Sequence, residues 1–462
     1  MSCVVAPARL PALVILACGA CGGRPAGATS PPGGAARPPE GARLTTPVSV
    51  EESWQVRTGC TLNAVGVLDD GTIVVGGGYR SGAVLGDAQL AETTLTEAAL
   101  VAGFDPSGKL LWHRESGDRG DDYVKRVVPL GSEFLVSGIR AAGMQGFVAL
   151  YGHDGQLRWE RTTGLLLVGE GWHGTLEPVG APEAIAPADG GGAWLLFAAS
   201  TGSAVVRVDA GGSAAERVLH ADAIATADTR LAVDSRGDEY VFGEGTFHRL
   251  ELSRYARDGS TWTAQVAESF VRGSYSLAAG LEVDAATGDA FVAWEETNTG
   301  LHVARLRAAD GARAWVRAIP VHLDRVDPDA PATELVGFDR DARTGNLFLS
   351  VQYRLPFALS GVVLRAPLQS PDARPVASGG VKVDLVSRAV AEVEPGAGRV
   401  VAAGPFVPND DECSHDYLTR IVWWPGLVFS NGAAYVVTGE APPSSTCLAG
   451  PEGAIVAKLS VR

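Results

Sequence analysis

A chain of 462 residues that is 46% hydrophobic and 20% charged can bury a sizeable core, but 58 glycines and 27 prolines interrupt it too often for long helices. Acidic residues outnumber basic ones 53 to 38, a formal net charge of -15, which argues against nucleic acid and against docking on an anionic lipid surface. The acidic groups are spread through turn segments and form no block, so they read as a solvated surface.

At the start of the chain Arg9, the apolar run from Leu10 to Ala17 and then Cys18 have the order of a secretory signal. The run is far shorter than the ~20 residues needed to cross a bilayer. Ile15, Leu16, Ala17 and Cys18 resemble the lipobox of bacterial lipoproteins. That resemblance implies that residues 1–17 are removed and that Cys18 is acylated, with Cys21 as the fallback. Residues 18–46 are rich in Gly, Pro and Ala and poor in large apolar side chains. Such a segment cannot offset its own ordering entropy and is expected to be a disordered tether. Gly19 stands where an aspartate marks inner-membrane retention in the best-known sorting rule, so the outer membrane is the expected location.

From 47 to 462 the chain repeats a pair of elements. The first is an apolar strand, a turn with Asp and Gly, and a β-branched or aromatic strand. It appears as AVGVLDDGTIVVGG (64–77), RLAVDSRGDEYVFG (230–243), GLEVDAATGDAFVAW (280–294), GFDRDARTGNLFLSV (337–351), AEVEPGAGRVVAAG (391–404) and VFSNGAAYVVTG (428–439), with degenerate copies turning at Gly131 and Gly190. The second element is an alternating strand, an Asp-Gly turn and a strand bearing tryptophan. Trp112, Trp159 and Trp315 each lie four residues after a turn glycine (Gly108, Gly155, Gly311), and Trp262 lies three after Gly259. Two hairpins per unit make a four-stranded antiparallel blade, and a period of this size signals a β-propeller. The turn glycines of the first element fall at 71, 131, 190, 237, 288, 345, 396 and 432. The last spacing is too short for a complete blade, so seven blades are expected, with eight as the alternative. SWQVRTG at 53–59 is half of a second element. It is expected to close the ring as the outer strand of the final blade, which removes an exposed edge.

These two halves resemble the repeats of bacterial β-propeller families found in secreted and lipid-anchored proteins, and more remotely quinoprotein-type propellers. The resemblance implies an all-β propeller. It does not choose a function, because propellers host unrelated activities.

Few residues in this frame suggest chemistry. GFDPSGKL (103–110) comes one residue short of a phosphate-binding loop, but Leu110 replaces the hydroxyl that would hold magnesium and the segment reads as a hairpin. Arg119, Gly120 and Asp121 spell an adhesion-like tripeptide of little specificity. The histidines, at 113, 153, 173, 220, 248, 302, 322 and 415, have no metal-ligand spacing. The most concentrated polar cluster runs from Asn409 to Asp416. Within it Asp410, Asp411, Glu412 and Asp416 are weak candidates for calcium, since the alternation and turn glycine of a calcium loop are missing. Asp324, Asp327 and Asp329 form a looser acidic loop. In an oxidising compartment Cys60, Cys413 and Cys447 allow one disulfide. Cys413 with Cys447 is the favoured pair, and Cys60 is the alternative partner of Cys447.

No cofactor and no catalytic residue is predicted. The sequence suggests a monomeric, membrane-anchored, non-enzymatic binding or scaffold module that presents one propeller face to an envelope protein or glycan. The alternatives are a propeller enzyme (lyase, glycosidase or quinone-dependent dehydrogenase) and a structural subunit of an outer-membrane assembly complex.

Overall fold

Short runs of β-branched and aromatic residues, bounded by turns that need positive φ, favour antiparallel hairpins. The computed structural model describes residues 50–461, apart from 94–96, 117–121, 141–144, 164–180, 189, 200–201, 221–228, 246–248, 269, 272–273, 297–299, 320–332, 342–343, 354–356, 360–361, 365–386, 407–426, 431–432 and 438–454. The expected signal, Cys18, Cys21 and the tether lie outside the described residues. So do Cys413, Cys447, the acidic segments at 324–329 and 409–416, and the tripeptide at 119–121.

Every named element is a strand. After β1 (Val50–Arg57), blade 1 consists of β2 (Cys60–Val67), β3 (Ile73–Tyr79), a small added hairpin β4 (Val84–Leu85) and β5 (Ala88–Gln89), then β6 (Ala98–Phe104) and β7 (Leu110–Ser116). Blade 2 is β8 (Asp122–Leu130), β9 (Glu133–Arg140), β10 (Gln145–Gly152) and β11 (Leu157–Thr162). Blade 3 is β12 (Ala184–Ala188), β13 (Gly192–Ala199), β14 (Gly202–Val208) and β15 (Ala214–His220). Blade 4 is β16 (Arg230–Val233), β17 (Glu239–Glu244), β18 (Arg249–Tyr255) and β19 (Thr261–Glu268). In blade 5 a short β20 (Phe270–Val271) precedes β21 (Ser274–Val283), β22 (Ala290–Glu296), β23 (Gly300–Leu306) and β24 (Arg313–Ile319). Blade 6 is β25 (Thr333–Arg340), β26 (Leu347–Tyr353), an added hairpin β27 (Phe357–Leu359) and β28 (Val362–Leu364), then β29 (Ser387–Val393) and β30 (Val400–Phe406). Blade 7 takes β31 (Leu427–Ser430), β32 (Ala433–Val437) and β33 (Ile455–Val461) from the end of the chain.

The fourth strand of blade 7 is β1, antiparallel to β33 from Val50↔Val461 to Arg57↔Ile455. Innermost strands β2, β8, β12, β16, β21, β25 and β31 touch one another in that order, and β31 touches β2 again. The architecture is therefore a β-propeller, with the N-terminal strand closing the ring.

One repeat is corrected by the structure. AEVEPGAGRVVAAG (391–404) has the look of an inner hairpin but is the outer hairpin of blade 6, β29–β30. Its positive φ falls at Gly398 (+67°), two residues beyond the expected Gly396. Inner and outer hairpins use the same turn chemistry and alternation, so composition alone does not separate them.

The core lies between blades. Buried clusters join blades 7 and 1, 1 and 2, 2 and 3, 3 and 4, 4 and 5, and 5 and 6. Blade contact is close enough to require glycine at Gly280, where a Cβ would stand 2.1 Å from Phe338 of the next blade. Four of the inner strands, β2, β8, β21 and β25, also carry a one-residue bulge, at Asn63, Lys125, Ala279 and Val336. The Asn63 side chain uses its position to donate to the Val124 carbonyl of blade 2 at 3.1 Å.

Candidate functional site

In an antiparallel blade the first and third turns open on the same end, so the described tight turns share one face of the ring with the paired ends of β1 and β33. Aspartates shape several of them. Asp105 Oδ1 accepts from the amides of Ser107 and Lys109 at 2.8 and 3.0 Å, and Asp209 Oδ1 accepts from those of Gly211 and Ser213 at 2.9 Å each. The Ser107 hydroxyl, and after it the Lys109 amide, hold the Asp105 carboxyl below its ordinary value.

Tryptophan ties five of the outer turns to the preceding blade. Trp54, Trp112, Trp159, Trp262 and Trp315 donate Nε1–H to the carbonyls of Pro106, His153, Ala210, Ala308 and Pro395, at 2.8 to 3.0 Å. Each acceptor sits in the outer turn of the next blade. The indole lies over that turn's glycine: Gly108, Gly155, Gly212, Gly311 and Gly398, all at positive φ, have indole atoms 2.5 to 2.7 Å from where a Cβ would stand. This fixes glycine there on two counts, conformation and close approach. A bulge just before the tryptophan, as at Arg158 and Ala314, is what the four-residue spacing encodes. Three arginines two positions further on complete the clasp and escape the sequence reading. Arg114 donates to the Gly155 carbonyl at 2.8 Å, Arg317 to Ala397 at 3.1 Å and Arg161 to Gly211 at 3.4 Å.

The same face holds a cleft of about 340 Å³ between blades 4 and 5, lined by Arg236, Arg254, Thr287, Asp289, Arg307, Ala308 and Ala309. Two copies of one device build it. Asp238, entering β17, accepts from the Arg257 amide at 3.1 Å and from Arg254 Nη2; Asp289, entering β22, accepts from the Ala308 amide at 2.9 Å and from Arg305 Nε at 2.8 Å. Arg236 forks onto Asp234 Oδ2 at 3.0 and 2.7 Å, and Arg307 onto Asp310 at 3.2 and 2.7 Å. Hydrogen bonding to Asp234 pushes Arg236 further above its ordinary value. The Arg236 and Arg307 side chains are each 56% exposed, whereas that of Arg254 is 12% exposed. Each guanidinium has five donors and its aspartate takes at most two, so the cleft can offer N–H groups to a planar oxyanion.

Two further titratable groups lie away from the cleft. Glu282 on β21 is partly buried, and desolvation, reinforced by Asp339 on the neighbouring β25, raises its carboxyl well above the ordinary value against the pull of Arg340. Arg340 bridges the same blades by donating to Asp284 at 2.9 Å. His302 stacks on Trp294 with centroids 5.1 Å apart, and burial lowers its pKa.

Among the expected sites, only Cys60 is described. It opens β2, is 1% exposed, and is a free thiol pushed up to about 12 by burial, in spite of the Thr58 hydrogen bond that lowers it. GFDPSGKL is the β6–β7 hairpin, and its aspartate and glycine serve the turn. Of the histidines, His153 contributes a backbone carbonyl to Trp112.

No family model and no curated protein matches the sequence. Among solved structures the chain is similar to Raptor from Chaetomium thermophilum, with a TM-score of 0.50 and 6% identity over 89% of this chain. It spans 29% of the Raptor chain, and that likeness shows the fold alone. BamB from Moraxella catarrhalis has a TM-score of 0.40 at 12% identity, covering 86% of this chain and 85% of that one. Quinohemoprotein alcohol dehydrogenase from Comamonas testosteroni has a TM-score of 0.43 at 13% identity, covering 89% and 76%. At those scores neither speaks to what this propeller does. Among the described residues no helix is long and apolar enough to cross a membrane.

Proposed function

We propose that this chain is a non-enzymatic binding or scaffold propeller, held at the outer membrane by acylated Cys18, that engages an envelope protein or glycan through its turn face. The observation that carries the reading is the arginine cleft. Three guanidiniums converge on one cavity of the turn face in a chain of net charge -15, which suits a partner presenting a carboxylate, sulfate or phosphate. The tryptophan ties support it by making that face rigid, so little ordering entropy is lost on binding.

Capture from envelope extracts tests this, comparing the wild-type chain with an Arg236→Ser, Arg307→Ser double variant. Both side chains are more than half exposed, although Arg236 also partners the buried Asp234 carboxylate, so some loss of stability is expected without loss of the fold. The expected result is a specific partner retained by the wild type and lost from the folded variant. Equal retention by both would contradict the assignment to this face.

A further inference from the structure

The indole ties leave one outer turn of the described face uncovered. In blade 4, Ala256 to Ser260 form the same turn as blades 1, 2 and 3. The Gly259 amide donates to the Ala256 carbonyl at 2.9 Å, as Gly108 does to Asp105 and Gly212 to Asp209 at 2.9 Å and Gly155 to Gly152 at 2.8 Å. The closing pair matches as well, Ala256 N to Ser260 O at 2.9 Å against 2.9, 3.0 and 3.0 Å in blades 1, 2 and 3. Gly259 has φ +83°, within the +71° to +89° of the other three. Around those three glycines the indole of the preceding blade closes in, yet among the described residues nothing stands within 4 Å of the Cβ position at Gly259. Gly155 and Gly212 are buried and Gly108 is half-buried, whereas Gly259 is exposed.

The cause is one residue of blade 3. Its outer strand β15 keeps the bulge, with Ala214↔Val208 and Glu216↔Arg207, in the register of Leu157↔Tyr151 and Trp159↔Leu150 in blade 2. Glu216, four residues after Gly212, therefore stands where tryptophan stands in blade 2. A carboxylate cannot stack over a glycine Cα or donate to a carbonyl.

We propose that the Ala256–Ser260 turn is an open indole seat and that its occupant is a tryptophan side chain supplied by a partner protein. Five turns of this chain show what such a seat accepts: a flat ring over the glycine and an N–H directed at a turn carbonyl. In blade 4 the carbonyl at the position of Pro106, His153 and Ala210 is that of Arg257. A tryptophan on an exposed loop satisfies both requirements, and Trp is a favoured anchor at protein interfaces. This seat goes beyond the arginine cleft and needs neither that cleft nor the lipid anchor.

Saturation-transfer NMR on the full chain with N-acetyl-tryptophanamide as probe tests the seat, with N-acetyl-phenylalaninamide as the control lacking the N–H. The wild type should bind the indole probe weakly and saturably, and the control at least several-fold more weakly. Glu216→Trp should fill the seat from within, abolish probe binding and raise Tm. Gly259→Asn, whose side chain tolerates positive φ, should also abolish probe binding by covering the turn, which keeps the test decisive if Glu216→Trp folds poorly. Unchanged probe binding by either folded variant, or no binding by the wild type, would overturn the proposal. So would binding that emerges only after Trp172, Trp423 and Trp424 are replaced by phenylalanine, since the seat would then be filled by this chain itself.

Discussion

Each docked indole combines two separable contributions. Trp159 is 9% exposed, lies over Gly212, and donates at 2.8 Å to the Ala210 carbonyl. Trp159→Ala should cost about 3 kcal/mol through lost burial and the cavity left behind, while Trp159→Phe should lose mainly the hydrogen bond, about 1 kcal/mol. Denaturant unfolding of both variants checks the order, and an alanine variant as stable as wild type would remove the tie from the account. Glu282 gives a pH prediction. Its folded pKa is raised, so its contribution is fully present below the ordinary value of 4.5 and is lost as pH rises towards the folded value. Glu282→Gln should therefore stabilise the chain at pH 8 by about 2 °C in Tm and make little difference at pH 4. A substitution that is neutral at both pH values would show that desolvation and Asp339 do not act on this carboxyl. The tryptophans were legible in the sequence because their distance from a turn glycine recurs. Arg114, Arg161 and Arg317 were not, because their role depends on a carbonyl some 40 to 80 residues away.

At the scale of the element, ring closure rests on β1. Its pairing with β33 supplies the outer strand of blade 7, and its Trp54 docks on the outer turn of blade 1. Deleting Ser53 to Gly59 removes both and exposes the edge of β33, so it should destabilise the domain by at least ~3 kcal/mol, and more than Trp54→Ala, which removes only the dock. Thermal unfolding of the two variants separates these contributions, and a deletion no less stable than the point variant would contradict closure by this strand. The incoming strand was legible because SWQVRTG is half of a recurring pair. The outer hairpins of blades 3 and 6 were harder to place, for a physical reason. Glu216 and Ala402 occupy the tryptophan position in them, and without the indole an outer hairpin has the same Asp, Gly and alternation pattern as an inner one. In blade 6 the added residues 354–386 also separate the second strand from the third, which breaks the spacing.

Over the whole molecule, the ties link blades 7, 1, 2 and 3 into one run and blades 4, 5 and 6 into another. The junction of blades 3 and 4 is held by a small cluster, in which Trp194, Leu196 and Val205 meet Leu231 and Val241. Hydrogen exchange should therefore report earlier opening at the blade 3–4 junction than at the tied junctions, and uniform protection around the ring would contradict that division. The N-terminal strand that closes this body follows directly on the expected tether, so an anchor at Cys18 would carry the whole propeller. A lipoprotein cysteine bears several acyl chains, each contributing about 0.8 kcal/mol per buried CH₂, which makes attachment stable where a single chain is marginal. Membrane fractionation of the full chain after a high-salt wash, beside a Cys18→Ser, Cys21→Ser variant, tests the anchored-propeller account most directly. The account predicts that the wild type remains with the outer membrane and that the variant is released or left as an unprocessed precursor; a variant that stays with the outer membrane as fully processed protein would contradict it.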